Sequence, residues 1–329
     1  MKIALDAMGG DLAPDETVKG ALLAADEVGP DTQIILVGPP DRLGTLLAGS
    51  PHDDKLLIHP ATEVVEMEDS PRVALRGKPD SSLAQVVALM KAGQAQACVS
   101  AGNSGAFMAL CHTRLRTIEG ILRPAIALFM PTAHGHRVVL DAGANADCKP
   151  EYLQQFGIMG SIYAQFVLGL ESPRVGVLSI GTENHKGNDV TQAAMPLLQQ
   201  APINFIGNVE GDQIFGADGV DVVVCDGFVG NVVLKVVEGL ASVLVGIIKD
   251  GVRKSPKAMI GAWLMRDVFM QARQTFDYSA QGGALLLGVN GICVVGHGKS
   301  DSNAIKNALL VAERSVNSRI VQHVRDALP

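Results

Sequence analysis

Short apolar runs alternate with longer amphipathic segments along most of the chain. The runs are rich in Val, Ile and Leu, which is typical of strands that a parallel sheet buries on both faces. The segments between them repeat their apolar positions with helical spacing, as in 14–28 and 81–92. This alternation predicts an α/β protein with a doubly wound, mainly parallel sheet and helices on both of its faces. The clearest strand-like runs are 2–5, 32–37, 97–99, 174–180, 220–225 and 291–295.

The chain is interpreted as one α/β catalytic domain over residues 1–329, because no repeat or low-complexity linker divides it. Residues 232–276 are predicted to form a projecting helical hairpin within that domain. The apolar run 232–248 contains Lys235 and Glu238, which argues against a transmembrane span. The pattern of residues 252–276 predicts a basic amphipathic helix. Its apolar face would lie on a membrane or a partner, or else pack on the core or on a second copy of the chain. The residues proposed for that surface are Met259, Ile260, Trp263, Leu264, Lys254 and Lys257.

Most of the predicted strands end in glycine together with Asp, Asn, Ser or Thr. In a doubly wound sheet ligands bind outside the carboxyl ends of the strands, so we expect these loops to converge on one edge. The loop 99–106 lies between a strand and a helix, where unpaired amides of the first helical turn attract anions. Ser100, Gly102, Asn103, Ser104 and Gly105 are therefore candidates to hold a phosphate.

Other loops supply further candidates. Asp6, Gly9 and Gly10 follow the first strand, and Gly181 and Thr182 follow the strand 174–180. The loop aspartates are better explained as acceptors for backbone amides than as metal ligands, so no metal is expected. The possible cations are His185, Lys186, His297 and Lys299.

Composition and missing motifs exclude several classes of function. The net charge of −7 and an aromatic content of 4% argue against a nucleic-acid partner. Five separated cysteines without a Cys-x-x-Cys pair are expected to be reduced, mostly buried thiols of a cytosolic protein. Neither a dinucleotide fingerprint nor a Walker A loop is present, although Gly298-Lys299-Ser300 resembles the end of the latter. The motifs of serine hydrolases and zinc proteases are also missing.

Five motifs in a fixed order resemble the bacterial phosphate acyltransferase (PlsX) family across the whole chain. They are Asp6-Ala-Met-Gly-Gly-Asp11, Ser100-Ala-Gly-Asn-Ser-Gly-Ala106, Asp141-Ala-Gly-Ala-Asn145, Ser179-Ile-Gly-Thr-Glu183 with Lys186-Gly-Asn188, and Asp226-Gly-Phe-Val-Gly-Asn231. The resemblance implies transfer of a fatty acyl group from acyl carrier protein to inorganic phosphate, giving acyl phosphate for phosphatidic acid and phospholipid synthesis. It implies no cofactor, and a fold similar to phosphate acetyltransferases and isocitrate-type dehydrogenases. It also implies a cytoplasmic homodimer that associates peripherally with the inner membrane beside an integral-membrane glycerol-3-phosphate acyltransferase.

A mechanism follows as a hypothesis. Phosphate is already a nucleophile, so the site has to hold it against the thioester and stabilise the oxyanion. The loop 100–105 would hold the phosphate, and Gly181 with Thr182, or Asn231, would donate to the oxyanion. Lys186 is the first choice for charge compensation and Lys299 the second, while His185 or His297 would protonate the leaving thiolate.

Two alternatives stay open at this stage. The first is a phosphate acetyl- or butyryltransferase that uses coenzyme A, for which the same loops would serve. The second is a membrane-docked scaffold without catalytic activity. A dehydrogenase of the isocitrate type is disfavoured, because these loops do not provide its acidic metal cluster.

Overall fold

The computed structural model describes residues 1–52, 54–132, 135–216, 219–270 and 282–328. In these ranges the chain forms one mixed sheet with helices on both faces. The strands are β1 (Lys2–Asp6), β2 (Gln33–Gly38), β3 (Leu56–Pro60), β4 (Ala97–Ser100), β5 (Ala125–Thr132), β6 (Gly135–Leu140), β7 (Arg174–Leu178), β8 (Asn204–Val209), β9 (Val222–Val224), β10 (Ala284–Leu287) and β11 (Ile292–Val295). The helices are α1 (Asp15–Glu27), α2 (Pro40–Leu47), α3 (Pro71–Arg76), α4 (Ser82–Lys91), α5 (Ser104–Leu115), α6 (Pro150–Phe166), α7 (Asp189–Gln200), α8 (Gly227–Arg253), α9 (Pro256–Leu264), α10 (Ser302–Asn317) and α11 (Ile320–Asp326).

The sheet has two halves that run in opposite directions. Its strand order is β3-β2-β1-β4-β11-β10-β5-β6-β9-β7-β8. The first five strands in this order are parallel to one another, and so are the last four. Between them, β10 is antiparallel to both of its neighbours and β5 is antiparallel to β6. The mainly parallel, doubly wound sheet is thus confirmed, but the expectation of a single edge for all carboxyl ends is wrong.

Alternating side chains of the buried strands pack on the helices of the two faces. On β1, Ile3 and Leu5 join a core with apolar residues of α1 and α10, while Ala4 faces the core beneath α4 and α5. In the other half, Leu140 packs with Phe156 and Tyr163 of α6. The two faces are therefore both covered, as the continuous apolar runs predict.

Several element boundaries have local causes. The polar segment 63–79 contains the short helix α3. The C-terminal segment divides into α10 and α11 at Arg319, whose φ of 52° interrupts the helix. The long helix α8 begins at Gly227 rather than at 232, because the carboxylate of Asp226 caps it by accepting from the amide of Val229 at 2.8 Å.

The segment predicted as a projecting hairpin contains the helices α8 and α9, and its residues 271–276 lie outside the described residues. Along α8 only Gly227 and Gly230 are buried. The mean hydropathy of its most apolar window is 1.9, and it is the one helix in the described part of the chain that is long and apolar enough to cross a membrane. Lys235 and Glu238 pair with each other at 2.8 Å, which reduces the cost of placing them in an apolar setting.

The first turn of α8 packs tightly on the end of β6. A Cβ atom at Gly230 would overlap the carbonyl oxygen of Asp141, whereas a Cβ atom at Gly239 of the same helix would meet nothing within 4 Å. We expect Gly230→Ala to lower the free energy of unfolding by about 3 kcal/mol, as overpacking does.

The matched control is Gly239→Ala, which should raise that free energy by about 0.5 to 1 kcal/mol because alanine favours an exposed helix over glycine. Urea unfolding of both variants measures the difference. Equal stabilities for the two variants would contradict the packing of α8 on Asp141.

Candidate active site

The loop between β4 and α5 exposes two backbone donors. Asn103 caps α5, because its Oδ1 accepts from the amide of Ala106 at 2.9 Å. The amides of Ser104 and Gly105 precede that bond in the first turn and have no acceptor among the residues that the structure describes. Such amides, together with the positive end of the helix dipole, form a binding site for an anion such as phosphate.

Ser100 holds this loop in place and does not face a ligand. Its side chain is buried, donates to Oδ2 of Asp6 at 2.7 Å and accepts from the amide of Gly102 at 3.1 Å. Both of its hydrogen-bonding roles, and the amide of Gly102, are therefore used within the protein. This corrects the sequence-based assignment of Ser100 and Gly102 as direct phosphate donors.

Asn103 is also committed to the protein. Its Nδ2 lies 3.2, 2.9 and 2.8 Å from the carbonyl oxygens of Glu66, Met67 and Asp69. The amide thus ties the segment 66–69 to the start of α5, where sequence analysis expected it to donate to phosphate. Lys78 closes the same segment with an ion pair to Asp69 at 2.6 Å.

The loops after β1 and β11 approach the same place. A Cβ atom at Gly9 would lie 2.8 Å from the amide nitrogen of Gly102, so only glycine permits this approach of two backbones. The amide of Asp11 donates to the carbonyl of Gly298 at 2.7 Å, and Gly10 has a φ of +114° that favours glycine. The loops after β1, β4 and β11 are called the first loop group.

A buried carboxylate organises the first loop group. Asp6 is 2% exposed, and burial raises the pKa of its carboxyl, while hydrogen bonds from Ser82, Ser100 and the amides of Met8 and Gly9 oppose that rise. Lys299 is exposed on the loop after β11, and its amide donates to Nδ1 of His297 at 3.2 Å. His297 is therefore held by its own loop.

The second loop group surrounds Asp141 at the end of β6. Its carboxylate accepts from the amides of Ile126, Gly143, Ala144 and Asn145 at 2.7 to 3.1 Å, and from the Nδ2 of Asn145 at 2.9 Å. Burial raises the pKa of Asp141, and these donors counter that effect.

The start of α8 joins this group. The amide of Gly227 donates to the carbonyl of Asn145 at 2.7 Å. Asn231 lies beside Gly143, since a Cβ atom built there would be 3.7 Å from the Cβ of Asn231. The loops after β6 and β9 are therefore one packed unit.

Lys186 lies on the loop after β7, which completes the second loop group. Its Cγ would lie 2.9 Å from a Cβ atom at Gly181, so the lysine side chain runs across that glycine. Asn208 fixes the loop, because its Nδ2 donates to the carbonyls of Glu183 at 2.7 Å and Lys186 at 3.4 Å. Thr182 and His185 are exposed on the same loop. The role of Asn208 has no local signal in the sequence, since its partners are 22 and 25 residues away.

The two loop groups belong to the two oppositely directed halves of the sheet. Hydrogen bonds join the loops after β1, β4 and β11, and another joins the loops after β6 and β9. The loop after β7 belongs with the second group because β7 pairs with β9. Lys186, His185 and Asn231 therefore lie in the second half of the sheet, whereas Lys299 lies in the loop group of the α5 amides.

Comparison with known proteins agrees with this architecture. The model of a family described as "Fatty acid synthesis protein" matches residues 1–323. A phosphate acyltransferase of Desulfitobacterium hafniense (strain DSM 10664 / DCB-2) is 49% identical over 329 residues, which cover 100% of this chain and 98% of that protein. A phosphate acyltransferase of Leptospira biflexa is 44% identical over 331 residues, covering 100% of this chain and 97% of its own.

Two solved structures share the fold. The EutD phosphotransacetylase from Staphylococcus aureus superimposes with a TM-score of 0.62 at 15% identity, covering 96% of this chain and 94% of that one. A phosphotransacetylase from Streptococcus pyogenes gives a TM-score of 0.64 at 17% identity, with the same coverage. Both are similar to this chain across both halves of its sheet.

Two serines of one loop separate a structural role from ligand binding. Ser100→Ala removes one hydrogen-bond donor of the buried Asp6 carboxylate and leaves the Gly102 amide without its acceptor, so we expect the free energy of unfolding to fall by about 1 to 3 kcal/mol. Ser104→Ala removes an exposed hydroxyl and should change it by less than about 0.5 kcal/mol. Calorimetric titration with inorganic phosphate should show near wild-type binding for Ser104→Ala, because this variant keeps the amides of residues 104 and 105. A stable Ser100→Ala protein with a selective loss of phosphate binding would instead identify Ser100 as a direct ligand.

Proposed function

Because the chain belongs to the fatty acid synthesis protein family, whose relatives are phosphate acyltransferases, we propose that it takes its acyl group from acyl carrier protein. The chain is an acyltransferase that transfers an acyl group to phosphate for phospholipid synthesis. The proposed reaction converts acyl-[acyl-carrier-protein] and inorganic phosphate to acyl phosphate and the free carrier thiol.

One observation carries the phosphate half of this proposal. The amides of Ser104 and Gly105 are unpaired in the first turn of the twelve-residue helix α5. The backbone around them is held by Asp6, Ser100 and the glycines of the first loop group, so the donors are fixed before phosphate arrives. Fixed donors of this kind bind an anion without reorganising during the reaction.

The chemistry needs two further groups. A phosphate oxygen attacks the thioester carbon, the C–S bond breaks, and the thiolate takes a proton as the acyl phosphate leaves. We assign the acyl side of this reaction to the second loop group, where Lys186 compensates charge and Asn231 or Thr182 donates to the oxyanion. Lys299 is the second cation, on the phosphate side. The positions of Lys186 along Gly181 and of Asn231 beside Gly143 support this assignment.

The decisive experiment compares acyl donors. With long-chain acyl carrier protein as donor, we expect phosphate-dependent release of the carrier thiol together with acyl phosphate, detected directly. Lys186→Ala should lower kcat by about 100-fold, as the loss of an electrostatic contact to a developing charge does, without a comparable loss of stability. The matched control is Lys91→Ala, an exposed lysine at the end of α4, which should retain full activity.

Each alternative predicts a different result in the same assay. Release from acetyl or butyryl coenzyme A, but not from acyl carrier protein, would replace the donor in this proposal. If neither donor releases its thiol although phosphate still binds, the non-catalytic scaffold would be favoured. An active Lys186→Ala enzyme would remove that lysine from the mechanism.

The exposed hairpin supports a proposal about location. Val236, Leu240 and Ile247 are 57 to 63% exposed along α8. Trp263 and Leu264, at the end of α9, are 72% and 70% exposed. We propose that a second copy covers α8 in a homodimer, while α9 lies on the inner face of the cytoplasmic membrane. There it would work beside an integral-membrane glycerol-3-phosphate acyltransferase that consumes the acyl phosphate.

The basic residues of the hairpin fit the same proposal. Lys254 and Lys257 are exposed and precede the apolar residues at the end of α9. Their positive charges would attract anionic headgroups or an acidic carrier protein. The enzyme would then be cytoplasmic, held at the surface rather than inserted across the bilayer. Its bulk negative charge leaves nucleic acid out of this set of partners.

Membrane contact through α9 can be measured with the natural protein. Trp263 is the only tryptophan of the chain, so vesicles of anionic lipid should shift its fluorescence to shorter wavelength. Trp263→Asp with Leu264→Asp should abolish cosedimentation with these vesicles, because two charges replace the apolar tip. The control pair is Leu122→Asp with Leu170→Asp, two exposed leucines away from the hairpin, which should leave cosedimentation intact. Vesicle binding that survives in the Trp263 and Leu264 variant would refute the lipid contact.

A further inference from the structure

Three cysteines that are distant in sequence meet in the core behind the first loop group. Cys98 lies on β4, Cys293 lies opposite it on β11, and Cys111 lies on α5. The Sγ of Cys98 donates to the Sγ of Cys293 at 3.6 Å, and all three sulfurs are within 4.8 Å of one another. Three sulfurs bonded to one ion at about 2.3 Å would be about 4 Å apart, so the cluster already has the size of a three-coordinate site.

The surroundings restrict the charge of any occupant. All three cysteines are fully buried in a core of apolar side chains that includes Ala4, Phe107 and Leu110. Burial raises the pKa of the Cys98 and Cys111 thiols well above their ordinary value. Three thiolates around a monovalent or divalent ion would leave net negative charge in this core, at a high desolvation cost. A trivalent ion leaves none.

We propose that Cys98, Cys111 and Cys293 form a site for one trivalent arsenic, taken up as arsenous acid. The three S–H groups exchange with the three hydroxyl groups of As(OH)3, giving a neutral As(S-Cys)3 unit and three waters. Each new As–S bond replaces an As–O bond, each thiol proton leaves with a hydroxyl group as water, and no electron is transferred. Arsenous acid is small and uncharged at neutral pH, so it reaches the sulfurs through local opening of the core.

The position of the site gives binding a structural consequence. Cys98 lies two residues before Ser100, and Cys111 lies on the helix whose first turn presents the Ser104 and Gly105 amides. One arsenic would join β4, β11 and α5, three elements that support the first loop group. Because only the fold brings the three sulfurs within 4.8 Å of one another, we expect arsenic to bind the folded protein more tightly and to raise its melting temperature.

The test uses the intact protein with arsenite alone as the probe. After gel filtration, elemental analysis should find one arsenic per chain, and native mass spectrometry should show the gain of one arsenic minus three hydrogens. A dithiol adduct would retain a hydroxyl group and so have a different mass. Arsenite should also raise the melting temperature of the wild-type protein.

Matched variants locate the sulfurs. Cys98→Ala, Cys111→Ala and Cys293→Ala should each lose the adduct and the rise in melting temperature. Cys148→Ala with Cys225→Ala, which removes the two remaining cysteines, should keep both. If a core variant does not fold, the mass of the adduct on the double variant still reports the number of sulfurs bound. An unmodified wild-type protein, a two-sulfur adduct, or equal binding after loss of Cys111 would overturn the proposal.

Discussion

Each half of the sheet ends in a buried aspartate that collects the donors of the neighbouring loops. A buried carboxylate without partners would cost several kcal/mol, while each hydrogen bond to a charged group contributes about 1.5 to 3 kcal/mol. Asp141 meets this demand with backbone amides of one turn and of β5, together with the side-chain amide of Asn145. Asp6 meets it with the hydroxyl of Ser100 and amides of its own turn. The shape of both loop groups follows from this requirement, because moving a loop would strip a donor from a buried charge.

The same requirement connects the second half of the sheet to the hairpin. Glycines at 227 and 230 let the first turn of α8 pack on Asp141 and on the loop that it organises. Asn231 follows in that turn, and the exposed apolar stripe of α8 begins directly beyond it. The base of the hairpin is thus part of the second loop group. A contact that orients the hairpin, on a second copy or on a membrane, therefore also orients the loop group that is proposed to hold the acyl thioester.

Local patterns predicted the elements well, and non-local pairing explains what they missed. Apolar runs such as 174–180 form strands where they are buried, in this case over Arg174–Leu178. Asp226 and Ser81 cap helices by accepting from amides three residues further along the chain. The reversal at β10, β5 and β6 depends on pairing between residues of β10 and β5 that are 158 to 162 positions apart, which no local pattern records. Ser100 and Asn103 have side chains suited to phosphate, but their partners at Asp6 and 66–69 become visible only in the folded chain. The cluster of Cys98, Cys111 and Cys293 is likewise visible only in the folded chain, since the spacing of these cysteines in sequence resembles no metal motif.

The proposed phosphate site illustrates why the candidate residues were harder to predict than the fold. The donors proposed for it are the backbone amides of Ser104 and Gly105, and every residue except proline carries such an amide. What the sequence specifies is the support around them: a cap at Asn103, a glycine at position 9 that lets two backbones approach, and a buried hydroxyl at Ser100. Side chains that look like ligands are therefore used to hold the loop, and the ligand is left to the backbone. This division suits an enzyme that must release its product, because neutral fixed amides bind an anion more weakly than a cluster of buried cations would.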